Sequence, residues 1–457
     1  LFLAKSLWQI THKLLIPLDS TIFQVMSLFG SSGIRGVVGT SFTPDLAVKI
    51  GNSVGSSYGE IIHGRDPRTS GIMFLHSLVA GETSAGADSY DAGMIPTPTL
   101  AKASEEFQCG VMITASHNPP EYNGIKLWNA DGSAFDTDQM DDIEQKISSE
   151  WKTKPWNKVG KFHTWEGAVD KHIECICRSL GGSSADVVVD CGCGATSVVS
   201  PLALRTLGCS VVSINSQPDG YFPGRSSEPT EDQLQDLRNL VIRNNADLGI
   251  AHDGDGDRMV ALDEHGSFIS GDRLVILFAS WLGVNSIAVP VDASMVIDDL
   301  VRNVTRCRVG DVYISEILKK DGIEFGGEPS GTYIFPKEFY CPDGIFAGAL
   351  LSQIASERNL SEYLAELPVY PVSRSSSYFK TSLRNSVSSR LKEEMESLDC
   401  ERLITIDGYR AEFSDGWFII RLSGTEPKLR VVAESRDEDE MKRLKKAADK
   451  IVARCTS

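Results

Sequence analysis

Residues 186–214 read DVVVDCGCGATSVVSPLALRTLGCSVVSI, and this stretch decides the fold class. Asp186–Asp190 is an apolar run between two carboxylates, which suits a short strand buried on both faces. The small residues from Cys191 to Ala195 form a turn at its end. Ser200-Pro201 predicts a helix start, with an N-cap hydroxyl before a first-turn proline. Cys209–Ile214 is the next strand candidate. Strand, helix, strand is the signature of α/β layers, whose ligand loops lie at strand ends.

The same alternation continues outward. Thr43-Pro44 and Thr97-Pro98 repeat the helix start, and Thr230 with Gln233 predicts a capping box before Leu234, Leu237, Leu240 and Val241. Val111–Thr114 and Asp247–Ala251 are further strand candidates. The last ninety or so residues differ. Segments at 402–406, 409–413, 417–421 and 429–433 look like strands, and a helix follows over 437–454. Strands and then a helix predict a small α+β domain after a Ser-rich linker near Leu367–Ser377.

At 457 residues the chain is long enough for three or four domains. Its 45 basic and 62 acidic residues give a net charge of −17, which argues against binding nucleic acid or an anionic membrane. No apolar run reaches the ~18 residues of a spanning helix. The ten cysteines are scattered, and Cys175/Cys177 and Cys191/Cys193 lack the two-to-four-residue gap of paired zinc ligands, so they read as reduced thiols. Met26 reads as the natural start, with the residues before it an upstream extension.

Several loops carry chemistry. Thr114-Ala115-Ser116-His117-Asn118-Pro119-Pro120 puts a serine in a stiff turn after a strand, and Asn123-Gly124-Ile125-Lys126 supplies a cation. Such a serine is a nucleophile or phosphoryl carrier, or else simply a turn residue. Asp253-Gly254-Asp255-Gly256-Asp257-Arg258 alternates carboxylates with glycine, a pattern that converges on a hard cation such as Mg²⁺. An EF-hand is excluded, because Arg258 stands where that loop needs glycine and the flanks read as strands. Gly326-Gly327-Glu328-Pro329-Ser330-Gly331 presents a carboxylate beside a hydroxyl, suited to sugar hydroxyls or to an ordinary turn. Arg421 and Arg430 flank the turn Ser423-Gly424-Thr425, a combination of guanidinium, hydroxyl and amide donors that makes a phosphate cradle. Gly30–Gly36, with Arg35, and Gly64–Gly71 are further Arg-containing glycine loops that also fit ordinary turns.

Taken in order, FGSSGIRG, GRDPRTSG, TASHNPPEYNGIKLW, DGDGDR, GGEPSG and RLSGTEPKLR resemble the α-D-phosphohexomutase superfamily from about Phe29 to the C-terminus. The resemblance implies three related α/β domains with mixed sheets and a C-terminal α+β, TATA-binding-protein-like domain, all around a central cleft. The boundaries expected are an N-terminal extension 1–27, then domains 28–158, 159–259, 260–368 and 369–457.

The resemblance also implies roles. Ser116 carries the phosphoryl group. Asp253, Asp255 and Asp257, with Ser116 in its phosphorylated form, hold Mg²⁺. Arg35, Lys126 and Arg258 surround the transferred group, with Lys126 the candidate general acid/base. Glu328 and Ser330 recognise the sugar, while Arg421, Ser423, Gly424, Thr425 and Arg430 hold the distal phosphate.

The implied activity is an isomerase that interconverts hexose 6-phosphate and hexose 1-phosphate through a phosphoserine enzyme and a hexose 1,6-bisphosphate. Leu422 replaces a common proline, which should change loop rigidity more than chemistry. Asp311 stands where bacterial mannose/glucose mutases tend to have histidine. The segment around GGEPSGT is more similar to archaeal phosphoglucosamine mutase-type sequences, so glucosamine phosphate is the expected substrate, with phosphomannomutase or phosphoglucomutase as the alternative. A phosphosugar-binding protein would lose the carrier serine or the metal loop, and both are complete here; a phosphatase would release phosphate. A cytoplasmic monomer or homodimer is expected.

Overall fold

Each of the first three sheets has a parallel core and an antiparallel hairpin whose connection is one of the chemical loops. The computed structural model describes residues 28–30, 33–149, 151–423 and 426–456. The expected extension 1–27, including Met26, lies outside the described residues, as do Gly424 and Thr425.

The first sheet holds β1 (Ile34–Val37), β2 (Glu60–Arg65), β3 (Asp88–Met94), β4 (Cys109–Ile113), β5 (Tyr122–Asn129) and β6 (Phe162–Thr164), in the order β1-β5-β4-β2-β3-β6. β4 and β5 are antiparallel, and Ser116 lies in their connection. The second holds β7 (Asp186–Asp190), β8 (Ser210–Ile214), β9 (Leu248–His252), β10 (Met259–Leu262) and β11 (Phe268–Ile269), in the order β11-β10-β9-β7-β8. Met259 pairs antiparallel with His252, so the Asp loop joins two strands, not the two helices of an EF-hand. The third holds β12 (Ser286–Pro290), β13 (Asn303–Cys307), β14 (Phe325–Glu328) and β15 (Thr332–Ile334), in the order β13-β12-β14-β15, and Pro329–Gly331 is the β14–β15 turn. β6 lies past the boundary expected at 158, and β11 and most of β10 lie past that at 259.

The fourth sheet is antiparallel throughout: β16 (Val372–Tyr378), β17 (Arg402–Ile404), β18 (Tyr409–Phe413), β19 (Gly416–Leu422) and β20 (Lys428–Ser435), in the order β16-β20-β19-β18-β17. The helices Arg384–Glu396 and Glu438–Thr456 bury Val387, Leu391, Leu444 and Ile451 in its core. The segment expected to be a linker is largely a strand. Residues 372–378 form an edge strand paired with β20, from Val372 opposite Glu434 to Tyr378 opposite Lys428.

The second and third units share one core, running from Ile173 to Leu367. Its centre is the helix Gly344–Glu357, capped by Asp343 Oδ1, which accepts from the amides of Ile345 and Phe346 at 2.9 Å each. Gly344 has no room for a Cβ, which would stand 2.6 Å from the Arg258 carbonyl. That helix therefore presses the end of the Asp loop against the third unit.

Three helix starts differ from expectation. Thr97 and Ser200 are the first helical residues rather than the caps, and their hydroxyls go to Asp255 Oδ2 (2.6 Å) and His252 Nε2 (2.9 Å). The Thr230/Gln233 capping box does not form, because Gln233 Oε1 accepts from Ser226 instead. A complete box forms at Asp136 and Gln139. All ten thiols are free. Among the described residues no helix is long and apolar enough to cross a membrane.

Candidate functional site

The serine loop is built on a buried arginine. Arg68 is 3 % exposed, pairs with Asp66 Oδ2 at 2.9 Å, and donates to the carbonyls of Ser116, Asn118, Pro119 and Tyr122 at 2.6–2.9 Å. Asp66 also accepts from Thr114 Oγ1 at 2.7 Å, and Thr114 Oγ1 accepts from the Ser116 amide at 2.8 Å. This scaffold holds Ser116 at φ +50°, a left-handed conformation uncommon outside glycine. A strained serine at a strand end is the arrangement expected of an activated hydroxyl. GRDPRTSG, which alone fits an ordinary turn, is therefore the support of the serine loop.

Ser116 Oγ donates to Asp253 Oδ2 at 2.6 Å, which joins the first and second units. The fit is close: a Cβ on Gly254 would lie 2.7 Å from the Ser116 carbonyl oxygen. Asp253, Asp255 and Asp257 are all buried, with one carboxylate oxygen from each within 4.8 Å of the others. Lys126 Nζ donates to Asp255 Oδ2 at 2.9 Å and also to Asp257 Oδ2. The Oδ1 atoms of Asp255 and Asp257 are buried without a hydrogen-bond partner. Such orphaned carboxylate oxygens are costly unless a cation satisfies them, so these residues fit a metal ion.

The electrostatics agree. Burial, then Asp257 and Asp255, push Asp253 well above the usual carboxylate range, and burial and Asp255 push up Asp257. Burial also works against Asp255, but Lys126 and Thr97 outweigh it and hold that carboxyl low. Burial disfavours the Lys126 ammonium too, yet Asp255 and Asp257 raise it above its ordinary value. Arg258 follows the same logic, with Asp257, Asp253 and Glu328 outweighing burial. Arg35 is lowered by burial and by Arg258, although a guanidinium stays protonated. Its Nη1 donates to Asn118 Oδ1 at 3.2 Å. Burial, with Arg258 and Arg35, drives His117 down to about 2, so that imidazole is neutral beside Ser116 Oγ at 3.4 Å.

Glu328 extends the site into the third unit. It is buried, accepting from the Gly310 amide at 2.7 Å and from Ser330 Oγ at 3.0 Å. Burial and then Asp311 raise its carboxyl to about 7, with Arg258 pulling the other way. Arg258 N donates to Asp253 Oδ1 at 3.2 Å within the Asp loop, and the Met259 amide just beyond it donates to the Gly331 carbonyl at 2.9 Å, which joins the Asp loop to the Glu328 turn.

Arg421 and Arg430 sit on neighbouring strands of the fourth sheet, directly opposite each other. With Arg374, Ser375, Ser376, Lys428 and Asp292 they line a cavity of about 340 Å³. Arg384 Nη2 donates to the Ser423 carbonyl at 2.6 Å, which steadies the loop. The roles expected of Gly424 and Thr425 fall outside the described residues. The sequence assigns no site role to Arg68, Thr97, Arg374, Arg384 or Lys428. Arg68 lies inside GRDPRTSG and Lys428 inside RLSGTEPKLR, while Thr97 reads only as a helix cap.

Ser116 and Lys126 of the first unit thus bond directly to the Asp loop of the second, and the turn carrying Glu328 joins that loop through its backbone. Family models match in the same order: phosphoglucomutase/phosphomannomutase alpha/beta/alpha domain I over residues 26–154, domain II over 168–266, domain III over 270–370, and the C-terminal domain over 383–451. A protein named probable phosphoglucosamine mutase from Methanocella arvoryzae is 46 % identical over 433 residues, covering 94 % of this chain and 99 % of its own. One of the same name from Methanosarcina acetivorans is 47 % identical over 434 residues, 93 % of this chain and 99 % of its own. The crystal structure of a phosphoglucomutase/phosphomannomutase family protein from Burkholderia thailandensis superposes with a TM-score of 0.82 at 27 % identity, covering 94 % and 97 % of the two chains. All four domains of one family, in order around a serine, a carboxylate triad and an arginine-lined cavity, make this chain a member of the phosphoglucomutase/phosphomannomutase family, an isomerase of the α-D-phosphohexomutase superfamily.

Proposed function

We propose that this phosphohexomutase interconverts glucosamine 6-phosphate and glucosamine 1-phosphate, with Ser116 as the phosphoryl carrier. The hydrogen bond from Ser116 Oγ to Asp253 carries the reading, because it sets a hydroxyl against a carboxylate cluster ringed by cations. The names of the relatives at 46–47 % identity support the sugar.

In the forward half-reaction, phosphorylated Ser116 gives its phosphoryl group to the free hydroxyl of the hexose phosphate. The P–Oγ bond breaks, a bond to the sugar oxygen forms, and the product is a hexose 1,6-bisphosphate. The intermediate turns end for end and returns its other phosphoryl group to Ser116. Lys126 is the candidate acid/base. Its raised pKa keeps the proton on Nζ in the free enzyme, so it gives that proton to the leaving Ser116 oxygen and takes up the one the sugar hydroxyl releases. Arg35 and Arg258 hold charge on the transferred group, as a loose phosphoryl-transfer transition state needs. Glu328 and Ser330 orient the ring. Arg421, Ser423, Gly424, Thr425 and Arg430 hold the phosphate that does not react, so binding energy far from the reacting bond positions it.

Asp253, Asp255, Asp257 and an oxygen on Ser116 would hold Mg²⁺. When bound, that ion supplies charge neutralisation at the phosphoryl oxygens. We take the domain divisions read from the sequence, moving the first past β6 and the second past β11 so that each sheet stays whole.

A coupled assay of glucosamine 6-phosphate, mannose 6-phosphate and glucose 6-phosphate on one preparation tests the sugar. Comparable kcat/KM for all three overturns a dedicated glucosamine enzyme. Isolating the labelled bisphosphate supports a mutase, whereas release of inorganic phosphate alone marks a phosphatase.

A further inference from the structure

Two consecutive amides ahead of the helix Asp311–Asp321 each hold a carboxylate. The Val309 N–H donates to Asp407 Oδ2 at 3.1 Å, and the Gly310 N–H donates to Glu328 Oε1 at 2.7 Å. The same Asp407 oxygen accepts from Arg421 Nη2 at 2.8 Å. One line of hydrogen bonds therefore runs from Arg421 through Asp407 and the Val309–Gly310 peptide to Glu328. Gly310 lies at φ +140°, a backbone conformation that favours glycine. Next to Asp407, Gly408 at φ +75° leaves only enough room for the arginine stem: a Cβ there would stand 2.5 Å from Arg421 Cγ.

A carboxylate beside a phosphate-binding arginine repels the incoming phosphate. It persists as a competitor for the guanidinium or because it positions something. The two acids around Arg421 differ in this respect. Asp292 makes one long contact, Oδ2 to Nη1 at 3.4 Å, and its Oδ1 is buried with no partner. Asp407 has partners in two domains. We infer that Asp407 is a positioning residue, which fixes Arg421 at a set span from Glu328 through the Val309–Gly310 peptide. This rests on the roles proposed for Arg421 and Glu328. A ligand that touches both ends of the span depends on Asp407, and one that touches only Arg421 does not. Asp292, by contrast, acts on Arg421 as a competitor.

Asp407→Asn separates the two roles by sign. As a positioning residue, its loss raises KM for the hexose 6-phosphate about tenfold, since small misplacements are amplified in such sites. The inhibition constant of inorganic phosphate, which needs no span, stays unchanged or falls. Asp292→Asn lowers both. An unchanged or lower KM in Asp407→Asn overturns the inference, as does a parallel rise of KM and the phosphate inhibition constant. If that variant fails to fold, Asp407→Glu keeps the charge with one more methylene and gives the same contrast. If the wild type turns over no hexose phosphate, the functional reading fails instead. The span is then read by calorimetry, with glucose 1,6-bisphosphate and inorganic phosphate titrated into Asp407→Asn and wild type.

Discussion

Ser116 Oγ and Asp253 Oδ2 are 137 positions apart in sequence and 2.6 Å apart in space. Each belongs to the hairpin connection of its own sheet, so two separate folding units must dock before the hydroxyl has a partner. Ser116→Ala should abolish turnover, by roughly 10⁴-fold or more for a lost nucleophile. Because Ser116 sits at φ +50°, alanine keeps the backbone strain and Ser116→Gly relieves it. Glycine should melt no lower than alanine while being equally inactive in the coupled assay. Near-normal turnover in either variant removes Ser116 as carrier.

Lys126 is the buried cation that pairs directly with both Asp255 and Asp257. Lys126→Met should destabilise the apoprotein by about 3–5 kcal/mol, the usual loss when one partner of a buried ion pair is removed. Added Mg²⁺ should then raise the melting temperature of the variant more than that of the wild type. Equal magnesium responses in differential scanning calorimetry would show that Lys126 and the metal do not balance the same charges.

Glu328 gives a pH signature. Its carboxyl is raised from 4.5 to about 7, so the folded protein holds a proton there that the unfolded chain releases near 4.5. Its contribution to stability is full below pH 4.5 and is lost as pH rises through about 7. Its two hydrogen-bond donors, the Gly310 amide and Ser330 Oγ, suit the ionised form. Thus kcat/KM should rise with pH through about 7, and Glu328→Gln should flatten that limb while lowering activity. A profile of the same shape in both proteins assigns the limb to the substrate phosphate.

Arg68→Lys tests the support of the serine loop. A lysine cannot span the four carbonyls and Asp66, so kcat should fall about 10–100-fold with a smaller change in KM. A loss confined to KM would place Arg68 at the substrate instead.

The sequence shows the strand–helix alternation and the chemical loops because each has a local signature: an apolar run, a glycine turn, a repeated carboxylate. β16 has none. It is an edge strand, mostly exposed, and its Arg-Ser-Ser-Ser run lacks the alternation that a half-buried strand shows, so it reads as a linker. Thr97 and Ser200 look like caps because a hydroxyl before proline is a local pattern. Their real partners, Asp255 and His252, come from other segments. Asp407 and Asp292 carry no motif at all; only the docking of the third and fourth domains gives them meaning.

The two strands that frame the Asp loop are buried along their whole length, in a core shared by two domains. No small fluctuation can release that loop alone, since opening it means parting β9 from β10 inside the core. Its amides should therefore exchange with deuterium only through the largest unfolding event of the second and third domains. β16, at an exposed sheet edge, can fray without disturbing either, and its amides should exchange early. The enzyme would then hold its charged centre in the slowest-opening part of the molecule and a wall of its arginine-lined cavity in one of the fastest.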